Sequence, residues 1–398
     1  MNNYDEVKQV RGQNLNIDRR DFAKMVLGGA ALLATSATSS AKLPSLPPGI
    51  KLGTSARNPS PENMLYLREL GVTWISSADI TPPSATVEGF TRMREQWEAG
   101  GFRVYNESGR IAPNGNAVIN VPEIVLNLPG RDARIEEFLD YLRFLGQAGI
   151  PYMTYGFEGN GNWRSGQATV RRGYTASDCD LSSPSFHGGW NGTVYKEPLS
   201  HGRVFAPEEI WGNFTYFIKK VAPVAEEAGV KIGIHPDDPP QPVLAGVPRI
   251  FSSFAGYKRA MEIADSPNVG VCLCVGSWLE GGAKMGADPA EVIQYFGAQK
   301  KLFKIHFRNV TSPLPHFTET LMDDGYYNMY KVMEALVDID FDGLVIPDHV
   351  PELGTPAGAR QAGVSDATGQ FRPSPGLAYS LGYMNATLKA ALTNRRKT

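Results

Sequence analysis

The chain has 398 residues, with 39 Lys and Arg against 41 Asp and Glu, a net charge of −2, 42% apolar residues and 20% charged ones. The near-neutral balance and the lack of a long basic run exclude an electrostatic nucleic-acid footprint, and the proportions are those of a folded globular chain rather than a fibrous or disordered one. Three cysteines, Cys179, Cys272 and Cys274, are too few for a disulfide framework in a chain this long.

The first segment reads as an export signal. Asp18-Arg-Arg-Asp-Phe-Ala-Lys24 precedes an apolar stretch, Met25–Ala34, and a small-residue run ending at Ser39-Ser40-Ala41. A charged start, a short apolar centre and small residues at the end define a secretory leader, and Arg19-Arg20 with Phe22 and Lys24 is similar to the twin-arginine type. Residues 1–41 are therefore expected to be a signal peptide and the protein to be exported, to the periplasm. The apolar centre is too short and too rich in Gly and Ala to span a membrane, so no membrane span is expected in the mature form. Residues 42–49, with Pro44, Pro47 and Pro48, read as a linker.

From residue 50 to 395, short apolar runs alternate with helical patterns. Strands are predicted at 50–55, 72–76, 102–106, 123–127, 151–155, 231–235, 269–274, 302–307 and 344–346. Helices are predicted at 60–70, with Ser60 as N-cap and Gly71 as the stop, and at 87–99, 132–148, 207–228, 253–263, 289–296, 327–337 and 377–392. Residues 158–206 are rich in Gly, Ser, Asn, Trp and Tyr and lack periodicity, which predicts one long loop over an end of the domain. Strand-helix alternation over this length predicts a single α/β domain with a parallel sheet, a (β/α)8 TIM barrel. A doubly wound open sheet is the alternative, but no Gly-x-Gly-x-x-Gly follows the first strand.

Four metal-ligand residue types fall at the C-terminal ends of four successive predicted strands: His235, Cys274, His306 and Asp348. The gaps between them are 39, 32 and 42 residues, each about one βα unit. Those ends converge on one face of a barrel, so two imidazoles, a thiolate and a carboxylate are expected to meet around one divalent ion. His349 follows Asp348 and is a candidate acid or base, or a group that orients a ligand. Arg308 suits a substrate carboxylate or a surface ion pair. Asp237 and Asp238, in a rigid turn before Pro239-Pro240, are candidates for sugar hydroxyls or a helix cap. Tyr155 and Trp163, with Glu158, open the long loop, where aromatic rings could stack on a sugar or pack in the core.

At these residues the sequence resembles the mannonate dehydratase family, within the xylose-isomerase-like barrels. The resemblance covers most of the mature chain. It is carried by Asn213–Pro240, ending His-Pro-Asp-Asp-Pro-Pro, by Val247-Pro-Arg-Ile250, Cys274-Val-Gly-Ser277, His306-Phe-Arg308, Asp324-Gly, Met329-Tyr330 and Pro347-Asp-His349, and by the pair Tyr155 and Trp163. It implies a (β/α)8 barrel that converts D-mannonate to 2-keto-3-deoxy-D-gluconate and water in uronate catabolism, using Mn2+ or Fe2+ on His235, Cys274, His306 and Asp348. Zn2+ also suits that donor set. His349 is implied in proton transfer, with Tyr379 as a second catalytic residue. The sequence departs from the family pattern in having Ile346 where an Arg usually precedes Pro-Asp-His, and Thr318 within Phe-Thr-Glu where a His is usual. The expected partner is a small sugar acid, and a homo-oligomer is left open. Two other functions use the same parts: a metal-dependent sugar isomerase or epimerase, and a non-catalytic carbohydrate-binding barrel.

Overall fold

Alternation along each short apolar run decides the architecture: one side of the run must be covered by helices and the other must close on itself. The computed structural model describes residues 46–396 except 82, 109, 352 and 355–372. The expected signal at 1–41 and the first part of the expected linker lie outside the described residues. Among the described residues, eight parallel strands close into a barrel: β1 (Lys51–Ala56), β2 (Trp74–Ser77), β3 (Arg103–Glu107), β4 (Tyr152–Tyr155), β5 (Lys231–Ile234), β6 (Val269–Cys274), β7 (Leu302–Phe307) and β8 (Leu344–Pro347). Each pairs with the next, and β8 pairs with β1. Between and after them run α1 (Pro61–Glu69), α2 (Val87–Ala99), α3 (Arg131–Gln147), α4 (Pro207–Glu227), α5 (Phe254–Ala264), α6 (Pro289–Ala298), α7 (Met329–Asp338) and α8 (Pro375–Arg395). The predicted TIM barrel is the observed fold, and no described helix is long and apolar enough to cross a membrane.

Local chemistry sets the helix ends. The Ser60 hydroxyl accepts the Asn63 N–H at 3.2 Å, Pro61 opens α1, and Gly71, at φ 76°, takes the left-handed position just past its end. Ser253 caps α5 in the same way. The inward faces of the strands close the floor of the barrel with Trp74, Tyr105, Tyr152, Phe303, Leu344 and Ile346, and Leu46, from the expected linker, packs against this plug. Above the plug, towards the C-terminal strand ends, the interior turns polar.

Two predicted segments differ. Residues 123–127 form no strand: Pro122–Val125 is a single helical turn, opened by Pro122 at its first position and packed between α3 and α4. A run of three apolar residues, Ile124-Val-Leu126, between Glu123 and Asn127 fits a buried strand and a buried helical turn equally well, so its pattern could not decide. Residues 158–206 are not one structureless loop. Residues 162–164, 187–190 and 193–195 form a three-stranded antiparallel sheet, and 166–169 and 175–180 pair with 316–320 and 309–310 in a four-stranded one. The strands within 158–206 span three to six residues, too few for periodicity to register. Tight turns separate them, with Gly173 and Gly192 at φ 86° and 82°. The strands come from the connections that leave β4 and β7 at the C-terminal end of the barrel.

Candidate metal centre and the cavity beside it

The pleat that sends Ile232 and Ile234 to the helices turns His235 inward, and the same parity holds for Cys272 and Cys274, for Lys304 and His306, and for Ile346 and Asp348. Strand pairing places Cys274 opposite His306 and His306 opposite Ile346. The donor atoms of His235, Cys274 and His306 lie within 4.8 Å of one another. Asp348 Oδ2 lies 3.5 Å from His306 Nδ1 and 3.8 Å from Cys274 Sγ. His235 Nδ1 is 2.7 Å from the Pro236 carbonyl, which assigns the proton to that nitrogen and leaves Nε2 for the cluster.

The residues present fit a divalent ion. Both ring nitrogens of His306 are buried with no hydrogen-bond partner, an arrangement that costs free energy unless another group satisfies them. Cys274 is fully buried, yet its thiol lies well below the ordinary range. Burial opposes ionisation, but Arg308, His235 and His306 outweigh it. Asp348 is likewise held well below the carboxylate range, as His349, His306 and Arg308 together overcome burial. A thiolate, a carboxylate and two imidazoles are the donor set of a transition-metal site.

Beside the cluster sits a largely buried network of charges. Arg308, 2% exposed, reaches Glu280 at 2.8 Å, Asp348 at 3.3 Å, Glu319 at 3.5 Å and Asp238 at 3.6 Å. Arg164 grips Asp238 with two bonds, of 2.5 and 2.9 Å, and also reaches Glu319 and Glu280. His349 Nδ1 is 2.7 Å from Glu319 Oε1. Burial and Asp238 push Glu280 well above the carboxylate range, so it is the neutral member. The His349 ring is 39% exposed, and Asp348 and Glu319 hold its charge up at about 9 against partial desolvation. Three anions (Asp238, Glu319, Asp348) then balance three cations (Arg164, Arg308, His349). Gly276 makes this packing possible, since a Cβ there would strike the Arg308 side chain.

Next to the cluster lies a cavity of about 470 Å³, lined on one side by His306, Asp348 and Ile346 and on the other by Ser76, Asn106 and Arg110, with Lys304 and Thr154 in its wall. Lys304 is 2% exposed, and its ammonium reaches across the barrel to Asn106 Oδ1 at 3.2 Å and Ser76 Oγ at 3.4 Å. Burial lowers it to about 8, with Cys272 and Asp348 acting the other way.

The structure separates the remaining candidates. Arg308 does not line the cavity: it is buried within 4 Å of the carboxylates of Asp238, Glu319 and Asp348 and of the neutral acid of Glu280. Asp237 and Asp238 are buried. Asp237 accepts the Phe251 N–H at 2.7 Å, and burial raises its carboxyl to about 6, while Asp238 anchors Arg164. Neither is open to sugar hydroxyls. Tyr155 turns outward and packs on Phe138 of α3 and Phe217 of α4, because the pleat gives the inward position to Thr154. Trp163 is wholly buried against Phe186, Tyr195, Leu244 and Ala245 and donates to the Asn160 carbonyl at 3.1 Å. Stacking on a ligand is therefore replaced by packing at both rings. Tyr379 is 37% exposed on α8 and donates to Asp323 at 2.6 Å, with Arg172 over its ring. None of these contacts belongs to the ligand cluster. Thr318 donates to Asp178 at 2.7 Å, so this departure from the family pattern faces the added strands, whereas Ile346 lines the cavity. Sequence reasoning missed Arg164, Glu280, Lys304, Asn106 and Arg110. Only Lys304, a charge inside an apolar strand on the same parity as His306, left a readable sign.

Comparison with known proteins agrees with this geometry. The profile described as D-mannonate dehydratase (UxuA) matches residues 191–385. Mannonate dehydratase of Streptococcus suis is 32% identical over 288 residues, covering 66% of this chain and 74% of that protein. Mannonate dehydratase 2 of Halalkalibacterium halodurans is 32% identical over 246 residues, covering 57% and 70%. The crystal structure of mannonate dehydratase from Streptococcus suis serotype 2 superposes with a TM-score of 0.68 at 26% identity, over 88% of this chain and 96% of that one. An L-ribulose 3-epimerase superposes at 0.53 with 13% identity, which is a likeness of fold alone. Barrel and sequence identity agree: the chain belongs to the mannonate dehydratase family.

Proposed function

We propose that the protein is a hydro-lyase that converts D-mannonate to 2-keto-3-deoxy-D-gluconate and water. The observation that carries this reading is the pair of orphaned His306 nitrogens among His235, Cys274 and Asp348, with His349 beside them. His235, Cys274, His306 and Asp348 would hold Mn2+ or Fe2+, and Zn2+ also falls within the range of these donors. When bound, such an ion supplies Lewis-acid stabilisation of the negative charge that develops as a proton leaves carbon beside a carboxylate.

The reaction takes the proton from C2 and the hydroxyl from C3, and the resulting enol becomes the 2-keto acid. The chain's own contribution is position and proton transfer. Glu319 holds His349 Nδ1, and Arg164 and Arg308 hold Glu319. The ring is thus oriented with Nε2 as the atom that gives a proton to the departing hydroxyl. His349 sits at φ 45°, a left-handed conformation that Asn also tolerates, so His349→Asn removes the proton-transfer group with little backbone penalty. Incubation with Mn2+ and D-mannonate should yield 2-keto-3-deoxy-D-gluconate from the native protein, and at least about a hundredfold less from His349→Asn. Absence of product from a folded, metal-loaded native sample would sink this substrate. We also propose export, on the strength of Arg19-Arg20; fractionation of cells carrying Lys at both positions should then trap the protein in the cytoplasm.

A further inference from the structure

Every sugar acid brings a carboxylate, and the cavity must meet it. Arg308 was the obvious clamp, but its guanidinium is 2% exposed, lies within 4 Å of the carboxyl groups of Glu280, Glu319, Asp238 and Asp348 and does not line the cavity, and Arg164 belongs to the same network. Two other cations line the cavity. Lys304 is buried, and its hydrogen bonds go to the neutral acceptors Asn106 and Ser76. Arg110 follows β3, is half-buried, and its Nε is buried without a partner. Among the described residues neither cation forms an ion pair with a carboxylate. Cys272 and Asp348 act on the Lys304 charge from nearby, but no carboxylate pairs with it directly. A buried ammonium whose hydrogen bonds all end on neutral acceptors is costly, and folded proteins keep one where a ligand or a function compensates.

We propose that Lys304 and Arg110 form the carboxylate subsite of this cavity, with Ser76 and Asn106 as positioning residues for the Lys304 ammonium. The inference rests on the sugar-acid reading above and deepens it. It places the acid group against the wall formed by β2, β3 and Lys304, and the hydroxyl-bearing chain towards His306 and Asp348. Loss of the proton beside the carboxylate moves charge onto its oxygens, so a cation touching them gains strength along the reaction. Ile346, on the strand next to Lys304, adds an apolar surface and no competing charge. A neutral sugar, the substrate type of an isomerase, would leave both cations unanswered.

The test uses metal-loaded protein in the His349→Asn background. Calorimetry measures binding of a panel of hexonates, D-mannonate included, and of uncharged hexitols, with Lys304→Met and Arg110→Gln added singly. The expected result is affinity for a hexonate that falls about tenfold to a hundredfold in each variant while hexitol binding is unchanged. A merely structural lysine would behave differently: Lys304→Met would then lower the Tm of the unliganded protein. The subsite predicts an equal or higher Tm together with the lost affinity. Arg110→Gln, at a half-buried position, serves if Lys304→Met does not fold. Native-like hexonate binding in the variants, or a native preference for hexitols, overturns the proposal. If D-mannonate fails to bind but another hexonate binds through Lys304, the substrate assignment fails and the subsite stands.

Discussion

Two sets of cations occupy one barrel mouth and behave in opposite ways. Arg308, buried, and Arg164, half-buried, sit among Asp238, Glu280, Glu319 and Asp348, so every positive charge there has an anion within about 4 Å. Lys304, which reaches the other wall from β7, hydrogen-bonds only the neutral Asn106 and Ser76, and Arg110 lies over the Trp190 ring; among the described residues neither forms an ion pair with a carboxylate. The first set is architecture: it fixes Glu319, His349 and Asp348 in place and would lose stability if opened. The second is an unfinished interaction that a ligand completes. Charge type alone does not tell the two apart; the partner inventory does.

The largest expected effect comes from opening the paired set. Arg308→Met leaves Glu319, Asp348 and Glu280 without their shared partner and should cost about 3–5 kcal/mol of unfolding free energy, read from urea denaturation. A loss below about 1 kcal/mol would show that the network is not the support described here. Gly276→Ala acts on the same contact from the other side. Its new methyl group displaces Arg308, and about 1–3 kcal/mol should be lost together with some metal affinity, measured by dialysis against a chelator.

A smaller, pH-dependent effect belongs to Glu158, which accepts the Asp238 N–H at 3.0 Å and an Asn120 amide at 3.3 Å. Burial raises its carboxyl from 4.5 to about 7, against the pull of Arg249. The folded protein therefore keeps this proton where the unfolded chain has released it. The stabilisation linked to it is complete below about pH 4.5 and is lost as pH rises through about 7. Glu158→Gln should flatten this part of the stability profile, seen as a smaller difference between urea midpoints at pH 4.5 and pH 7.5 than in the native protein. An unchanged difference would place the titration elsewhere. The smallest effect is predicted at Tyr379. With its hydroxyl on Asp323 at the surface, Tyr379→Phe should change kcat/KM by less than about twofold and stability by less than about 0.5 kcal/mol; a loss of activity of a hundredfold or more would return it to the catalytic group.

The same contrast explains what could be read in the sequence. His235, Cys274, His306 and Asp348 are residue types rarely gathered without purpose. Each ends an apolar strand, and one βα unit separates it from the next, so periodicity and spacing sufficed. The barrel followed from the same alternation. The opposite wall is made of Ser76, Asn106 and Arg110, and Lys304 reaches it from β7; these are common residues whose meeting depends on closure of the barrel between distant strands. Arg164 was hidden in a segment whose short strands leave no pattern. Tyr155 and Trp163 drew attention as aromatics near a mouth, but the pleat turns the first towards α3 and α4, and the second builds the core of the added sheet. Arg308 was correctly located near the ligands, yet its partners lie 28, 70 and 11 residues away in sequence, at Glu280, Asp238 and Glu319, and no local spacing reveals that they consume its charge.

The central claim is that His235, Cys274, His306 and Asp348 hold one divalent ion on which dehydration depends. The direct measurement is to strip the native protein with a chelator, add Mn2+ back in steps, and follow 2-keto-3-deoxy-D-gluconate formed from D-mannonate. Activity that is absent in the stripped protein and is fully restored near one equivalent of metal, with no restoration in His306→Ala, is the predicted result. Full activity in the stripped protein, or equal restoration in His306→Ala, would contradict it.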